Sequence, residues 1–218
     1  MKKSKIKILI SAGPTREAID PVRFISNYST GTFGFEIARQ AKRRGHQVTL
    51  VSGVTYLKKP AGVKVRKVET ALEMQKALCE EIKDNNCLIM NAAVCDYRPL
   101  KFFKRKIKKS KKSFNIKFIE NPDILKGLGR FKKNRLLVGF AVETENVLKN
   151  GTNKLKEKNL DLIVATKISK FLTPFGSGRI SAYIIEKQGK YQKITNATKP
   201  EFSRKLLDRV EGLWYTIF

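Results

Sequence analysis

Short apolar runs alternate with helical patterns along nearly the whole chain. "KIKILISAG" (5–13) is a continuous apolar stretch and predicts a strand buried on both faces. Residues 32–44 follow a 3.6-residue period. Phe33, Ile37, Ala38 and Ala41 share one face, and Arg39, Lys42 and Arg43 lie outside it. "HQVTLVSG" (46–53) and "VKVRKVE" (63–69) read as strands, with His46 at the surface where the first of them starts. "TALEMQKALCEEIKDN" reads as a helix opened by a Thr70–Glu73 capping box, with Leu72, Met74, Leu78 and Ile82 as its apolar positions. "CLIMNAAV" (87–94) is a further buried strand. After it come "FNIKFIE", a short helix within "NPDILKGLGRF", the strand "LLVGFAVE" (136–143), the helix "ENVLKNGTNKLKEKN" and the strand "LDLIVATKI". "RISAYIIEKQGKYQKIT" predicts a hairpin turning at Gly189. Thr198 and Glu201 are spaced to cap a last helix reaching about Trp214.

Strands alternating with helices predict an α/β fold: a Rossmann-like, doubly wound, mainly parallel sheet with a C-terminal hairpin, forming a single domain over 1–218. In that class ligands bind beyond the carboxyl ends of the strands, where connections diverge. Four loops lie there: "AGPTREAID", "ISNYSTGTFG", "NAAVCDYRP" and "GFAVETEN".

Composition narrows the classes. No apolar run is long enough to span a bilayer. The basic, briefly apolar start "MKKSKIKILISAGPT" leads straight into a loop-and-helix pattern, so it is read as the first strand rather than a secretion signal, and a cytoplasmic location is expected. Cys79, Cys87 and Cys95 are odd in number and lack CxxC spacing, which argues against disulfides or zinc; they read as small buried hydrophobes. Charge changes the picture most. There are 46 basic and 19 acidic side chains, a net of +27. "KFFKRKIKKSKK" (101–112) holds eight of the basic residues and predicts a mobile basic flap over about 99–113. Such a field attracts small anions and nucleic acid alike. Nucleic acid is not expected as a partner, because no RNP, KH or helix-turn-helix pattern is present, but charge does not exclude it.

Three motifs are candidates for chemistry. "STGTFG" opens a helix, so its N–H groups and glycines suit an anion, although a Ser29 or Thr30 cap explains the same residues. Its GxxG spacing is not a dinucleotide fingerprint. "NAAVCDYRP" pairs small residues, Ala92 and Ala93, with Asp96 past a strand end, where a ligand can lie against backbone; an ordinary turn does the same. A lysine of the basic run could close over a triphosphate, or the run could be a solvated face.

Taken together, "GPTREAIDPVRFISNYSTGTFG", "AAVCDYRP", "KIKK", "NPDIL", "GFAVET" and "KLKEKNLDLIVA" resemble the phosphopantothenate–cysteine ligase family, in order and in spacing. The resemblance implies a step of coenzyme A biosynthesis. CTP, with Mg2+, activates 4'-phosphopantothenate as an acyl-cytidylate with loss of pyrophosphate; L-cysteine then displaces CMP. It implies a homodimer and, since the chain starts at the first ligase strand, a free-standing synthetase without flavin. By the same resemblance Asn27 and Lys106 are catalytic, Asn27 binding phosphopantothenate and Lys106 being the flap lysine. Ser29, Gly31 and Gly34 cradle the triphosphate. Ala92, Ala93 and Asp96 line the substrate site, Asp96 also meeting the nucleotide. Pro122, Asp123, Ile124, Leu125, Phe140, Lys154 and Lys158 complete the nucleotide pocket. No residue is assigned to the metal.

Departures from the family pattern are Thr30, Thr32 and Phe33, where Ser, Lys and Met are usual. Thr166–Lys167 replaces Asn-Asp, and Ser177–Ile180 replaces Ser-Asp-x-Asn. Two alternatives therefore stay open: a basic nucleic-acid-binding protein on a Rossmann-like scaffold, and a degenerate nucleotide-binding family member.

Overall fold

The computed structural model describes residues 5–109, 113–169, 173–176 and 178–217. Its centre is an eight-stranded sheet of β1 (Lys7–Ala12), β4 (Gln47–Ser52), β5 (Lys64–Lys67), β6 (Cys87–Met90), β9 (Leu136–Glu143), β10 (Leu162–Lys167), β11 (Ile180–Glu186) and β12 (Tyr191–Ala197). Two small hairpins flank it: β2 (Arg16–Ala18) with β3 (Phe24–Ser26), and β7 (Tyr97–Pro99) with β8 (Phe118–Glu120). The helices are α1 (Thr32–Arg43), α2 (Ala71–Glu81), α3 (Ile124–Arg130), α4 (Val147–Glu157) and α5 (Lys199–Ile217).

The sheet runs β12-β11-β10-β9-β6-β1-β4-β5. Pairing is parallel from β5 to β10 and antiparallel through the C-terminal hairpin. The parallel strands therefore follow the 3-2-1-4-5-6 order of doubly wound folds, and connections diverge between β1 and β6. Side-chain alternation explains why both faces are covered. Ile8, Ile10 and Ala12 of β1 join a core beneath α1 and α5, whereas Leu9 joins a second core beneath α2, α3 and α4. A strand feeding two cores must be apolar at nearly every position, which is why "KILISA" shows no alternation.

Several expectations change. Leu72 faces solvent, and Ala71, Met74, Ala77 and Leu78 form the buried face of α2. His46 is buried. Its Nδ1 accepts from the Ile6 amide, so the proton sits on Nε2 and is donated to Glu211 of α5 at 3.0 Å. Cys79 is exposed, while Cys87 and Cys95 are buried. The hairpins β2–β3 and β7–β8 carry no apolar alternation and were not foreseen as pairs.

Candidate functional site

Close packing of glycines builds the divergence point. Gly31 has a φ of 78°, and a Cβ there would stand 3.1 Å from Gly13 Cα. Only glycine lets the β1 loop and the loop before α1 approach this closely. At Gly34 a Cβ would meet that of Ala12 at 2.5 Å, so Gly34 seats α1 on β1. The β1 loop then lies along the β6 loop. The Ala93 amide donates to the Gly13 carbonyl, the Thr15 amide to Ala93, and the Cys95 amide to Thr15 Oγ1.

A cavity of about 730 Å³ opens at this carboxyl edge. Asn27, Ser29, Gly31, Ala92, Ala93, Asp96, Pro122, Asp123, Ile124, Leu125, Phe140, Lys154 and Lys158 all line it. Two expected site residues do not. Gly34 lies behind the wall as a packing residue, and Lys106 stands exposed on the basic segment.

The start of α1 is bare. Gly31 is its N-cap, and no side chain caps it. The Ser29 hydroxyl accepts from the Gly31 amide, and Thr30 bonds to Thr32. The amides of Thr32, Phe33 and Gly34 find no acceptor among the described residues. Side-chain capping, the alternative explanation of "STGTFG", is thus absent, and the positive end of α1 meets the cavity.

Asn27 Nδ2 donates to Ala93 O at 2.9 Å, which fixes the amide plane; Oδ1 has no partner among the described residues. The Asp96 and Glu120 carboxylates have no ion-pair partner among the described residues. Asn121 holds the β7–β8 hairpin over the cavity, donating to Cys95 O and accepting from Arg98. Burial pushes the Cys95 thiol up, so it stays protonated beside Asn27.

The two cavity lysines at the C-terminal end of α4 are not free. Lys154 pairs with Glu143 at 2.6 Å and Lys158 with Asp123 at 2.8 Å. Burial raises the Asp123 pKa, but the Lys158 ammonium and the Lys126 amide outweigh it and hold the carboxyl below its usual value. Phe33 stacks edge-on against both Phe140 and Phe202, with ring centroids 5.4 Å apart in each case. Sequence reasoning missed Lys199, a buried lysine in the cavity wall; "TKPE" reads there only as a helix start.

The basic segment is tied down where it is described. The buried Asp20 carboxylate accepts from the amides of Val22, Arg23 and Ile107, and Arg23 donates to Ile107 O at 2.6 Å. The Phe103 amide reaches Ile19 O. Burial raises the Asp20 pKa, yet those amides and the Arg23 guanidinium prevail and lower it. Lys106 therefore projects from an anchored bend. Residues 110–112 of the expected flap, and Ser177 of the C-terminal departure, lie outside the described residues. Thr166 is buried in the cavity wall and donates to Ser181 O.

Residues 3–213 match the family model described as DNA/pantothenate metabolism flavoprotein C-terminal domain. The chain is 40% identical over 204 residues to the Coenzyme A biosynthesis bifunctional protein CoaBC of Borreliella burgdorferi, covering 92% of this chain and 51% of that protein. It is 42% identical over 206 residues to the CoaBC of Escherichia coli K12, covering 93% and 50%. The chain thus spans about half the length of the curated relatives it matches. A crystal structure of the C-terminal domain of a CoaBC superposes with a TM-score of 0.83 at 37% identity, covering 98% of this chain and 97% of that one.

Proposed function

The chain belongs to the DNA/pantothenate metabolism flavoprotein C-terminal domain family, and on that premise we propose that it joins 4'-phosphopantothenate to L-cysteine with CTP in coenzyme A biosynthesis. The observation that carries this reading is the uncapped start of α1 opening into the cavity beside Asn27 and Asp96.

The first step joins two anions. A carboxylate oxygen of phosphopantothenate attacks the α-phosphorus; the bond to the β-phosphate oxygen breaks, and its electron pair leaves with pyrophosphate. Fixed donors must offset the repulsion, and the amides of Thr32 and Phe33 need no reorganisation to do so. Lys106, whose neighbour Ile107 is anchored on Asp20, adds a cation on a long side chain that can swing to the phosphates. In the second step the neutral amine of cysteine attacks the acyl carbon, a C–N bond forms, the C–O bond to CMP breaks, and the amine proton passes to solvent. Asn27 Oδ1 and its fixed amide plane orient the acyl group without adding charge. Ala92 and Ala93 leave room for the substrate against the backbone, and Ser29 and Gly31 hold phosphate. Pro122 to Leu125, Phe140, Lys154 and Lys158 enclose base and ribose, the two lysines already steadied by Glu143 and Asp123.

Magnesium would enter with the nucleotide, held mainly by phosphate oxygens and water, and would supply charge neutralisation there. The described residues form no cluster of three metal-ligating side chains. The unpaired Asp96 carboxylate suits one bond to such an ion. The proposed reaction needs no flavin.

We also take residues 1–218 as one domain acting as a homodimer in the cytoplasm. Support for pairing comes from exposed apolar side chains on and beside the small hairpins, among them Val22, Phe24, Tyr97, Leu100, Phe102 and Phe118. No helix among the described residues is long and apolar enough to cross a membrane.

The test is pyrophosphate release from CTP, 4'-phosphopantothenate, L-cysteine and magnesium. Release that requires phosphopantothenate supports the reading. No release with CTP, ATP, GTP or UTP would sink it.

A further inference from the structure

Three lysines line the cavity, and they differ in one respect. Lys154 and Lys158 each hold a carboxylate. Lys199, the first residue of α5, has no carboxylate partner among the described residues. It is only 5% exposed, and among the described residues its Nζ donates only to the Gly176 carbonyl. Burying an ammonium with one carbonyl partner is costly, and the burial itself lowers the Lys199 pKa. A buried cation facing a cavity without a counter-ion is stabilised when an anion arrives.

The position says which part of a ligand it would meet. Phe202 lies one turn further along α5 from Lys199, and its ring packs on Phe33 in the first turn of α1. The starts of α1 and α5 therefore converge on one end of the cavity, whose wall also includes Thr166, Pro174 and Ile180. The loop from Ser29 to Phe33 offers amides and hydroxyls there but no cation. The α4 lysines stand with Asp123 and Glu143.

We propose that Lys199 is a catalytic contact for the polyphosphate: its ammonium binds the outer phosphates of the nucleoside triphosphate and then the pyrophosphate that departs. When the bond from the α-phosphorus to its bridging oxygen breaks, that oxygen keeps the electron pair. Lys199 donates a hydrogen bond to the leaving pyrophosphate and transfers no proton. This role rests on the ligase reading above and deepens it.

Calorimetry with CTP and with CMP tests it, using the wild-type chain, Lys199→Met and Lys199→Arg. Loss of a charged hydrogen bond to phosphate should weaken CTP binding by about tenfold to a hundredfold. CMP, which lacks the outer phosphates, should bind Lys199→Met within about twofold of wild type, and Lys199→Arg should recover most of the CTP affinity. Removing an unpaired buried charge should not lower the melting temperature. Should the methionine variant not fold, Lys199→Gln carries the same comparison. Equal CTP affinity in wild type and variant, or parallel losses for CTP and CMP, would overturn the proposal. A wild-type chain that binds CTP but releases no pyrophosphate would instead sink the ligase reading and leave Lys199 as a triphosphate contact.

Discussion

Two helix starts in this molecule meet their unpaired amides in opposite ways. At α2 the protein supplies the acceptors: Thr70 Oγ1 takes the Glu73 amide, and Glu17 takes the Ala71 amide at 2.9 Å. Glu73 also returns a bond to the Glu69 amide. At α1 no described residue supplies one. Its N-cap is a glycine with a positive φ, and the amides that follow face the cavity. The N-terminus of α2 is closed by the protein itself, and that of α1 stays open toward the cavity. Asp20 extends the lesson to the basic segment, where a buried carboxylate meets the amide next to Lys106. Backbone donors are thus satisfied internally at α2 and on the basic segment, and left open at the start of α1, where the cavity lies.

The largest effect should come from filling the vacancy at α1. Gly31→Asp adds a negative charge at the N-cap, beside the open amides, and CTP affinity should fall by at least about a hundredfold through like-charge repulsion together with crowding against Gly13. Gly31→Asn has the same bulk and the same crowding against Gly13 without the charge, so calorimetry should show the steric part of the loss alone, about tenfold. Equal losses would mean that strain alone is at work.

Loosening the basic segment should act on turnover rather than binding. Asp20→Ala frees the Ile107 amide, and misplacement of Lys106 should lower kcat about tenfold or more. The KM for CTP should stay within about twofold, because the α1 amides are untouched. A rise in KM with unchanged kcat would place Asp20 in ground-state binding instead.

Removing the cap at α2 gives the smallest effect. Thr70→Ala should cost about 1 kcal/mol of stability, a drop in Tm of about 2–4 °C for a chain of this size. CTP affinity should not change. A weakened CTP complex would erase the distinction between the two helix starts.

The sheet was legible because its strands feed two cores. A segment such as "LLVGFAVE" is apolar throughout, and the expected strand 136–143 matches β9 end to end. The caps at Thr70 and Thr198 also rest on local spacing: Thr198 and Glu201 close a reciprocal box, whereas Glu73 reaches the Glu69 amide rather than that of Thr70. The short hairpins were not legible. Strands of three residues carry no periodic signal, and the β7–β8 pair is tied by Arg98 and Asn121, 23 positions apart. His46 escaped for a similar reason: its burial depends on Glu211, which only the docked α5 brings near. At the site the loops were visible as clusters of glycine and polar residues, and most of the expected residues line one cavity. Their electrostatics were not. That Lys154 and Lys158 are paired while Lys199 is not depends on contacts between elements far apart in sequence.

The central claim is that the amides opening α1 are reserved for phosphate. An amide-resolved NMR titration of the uniformly labelled chain with CTP addresses it most directly. Large shifts are expected at Gly31, Thr32 and Phe33 and none at Ala71 or Glu73. CTP binding that left the α1 amides unmoved would contradict it.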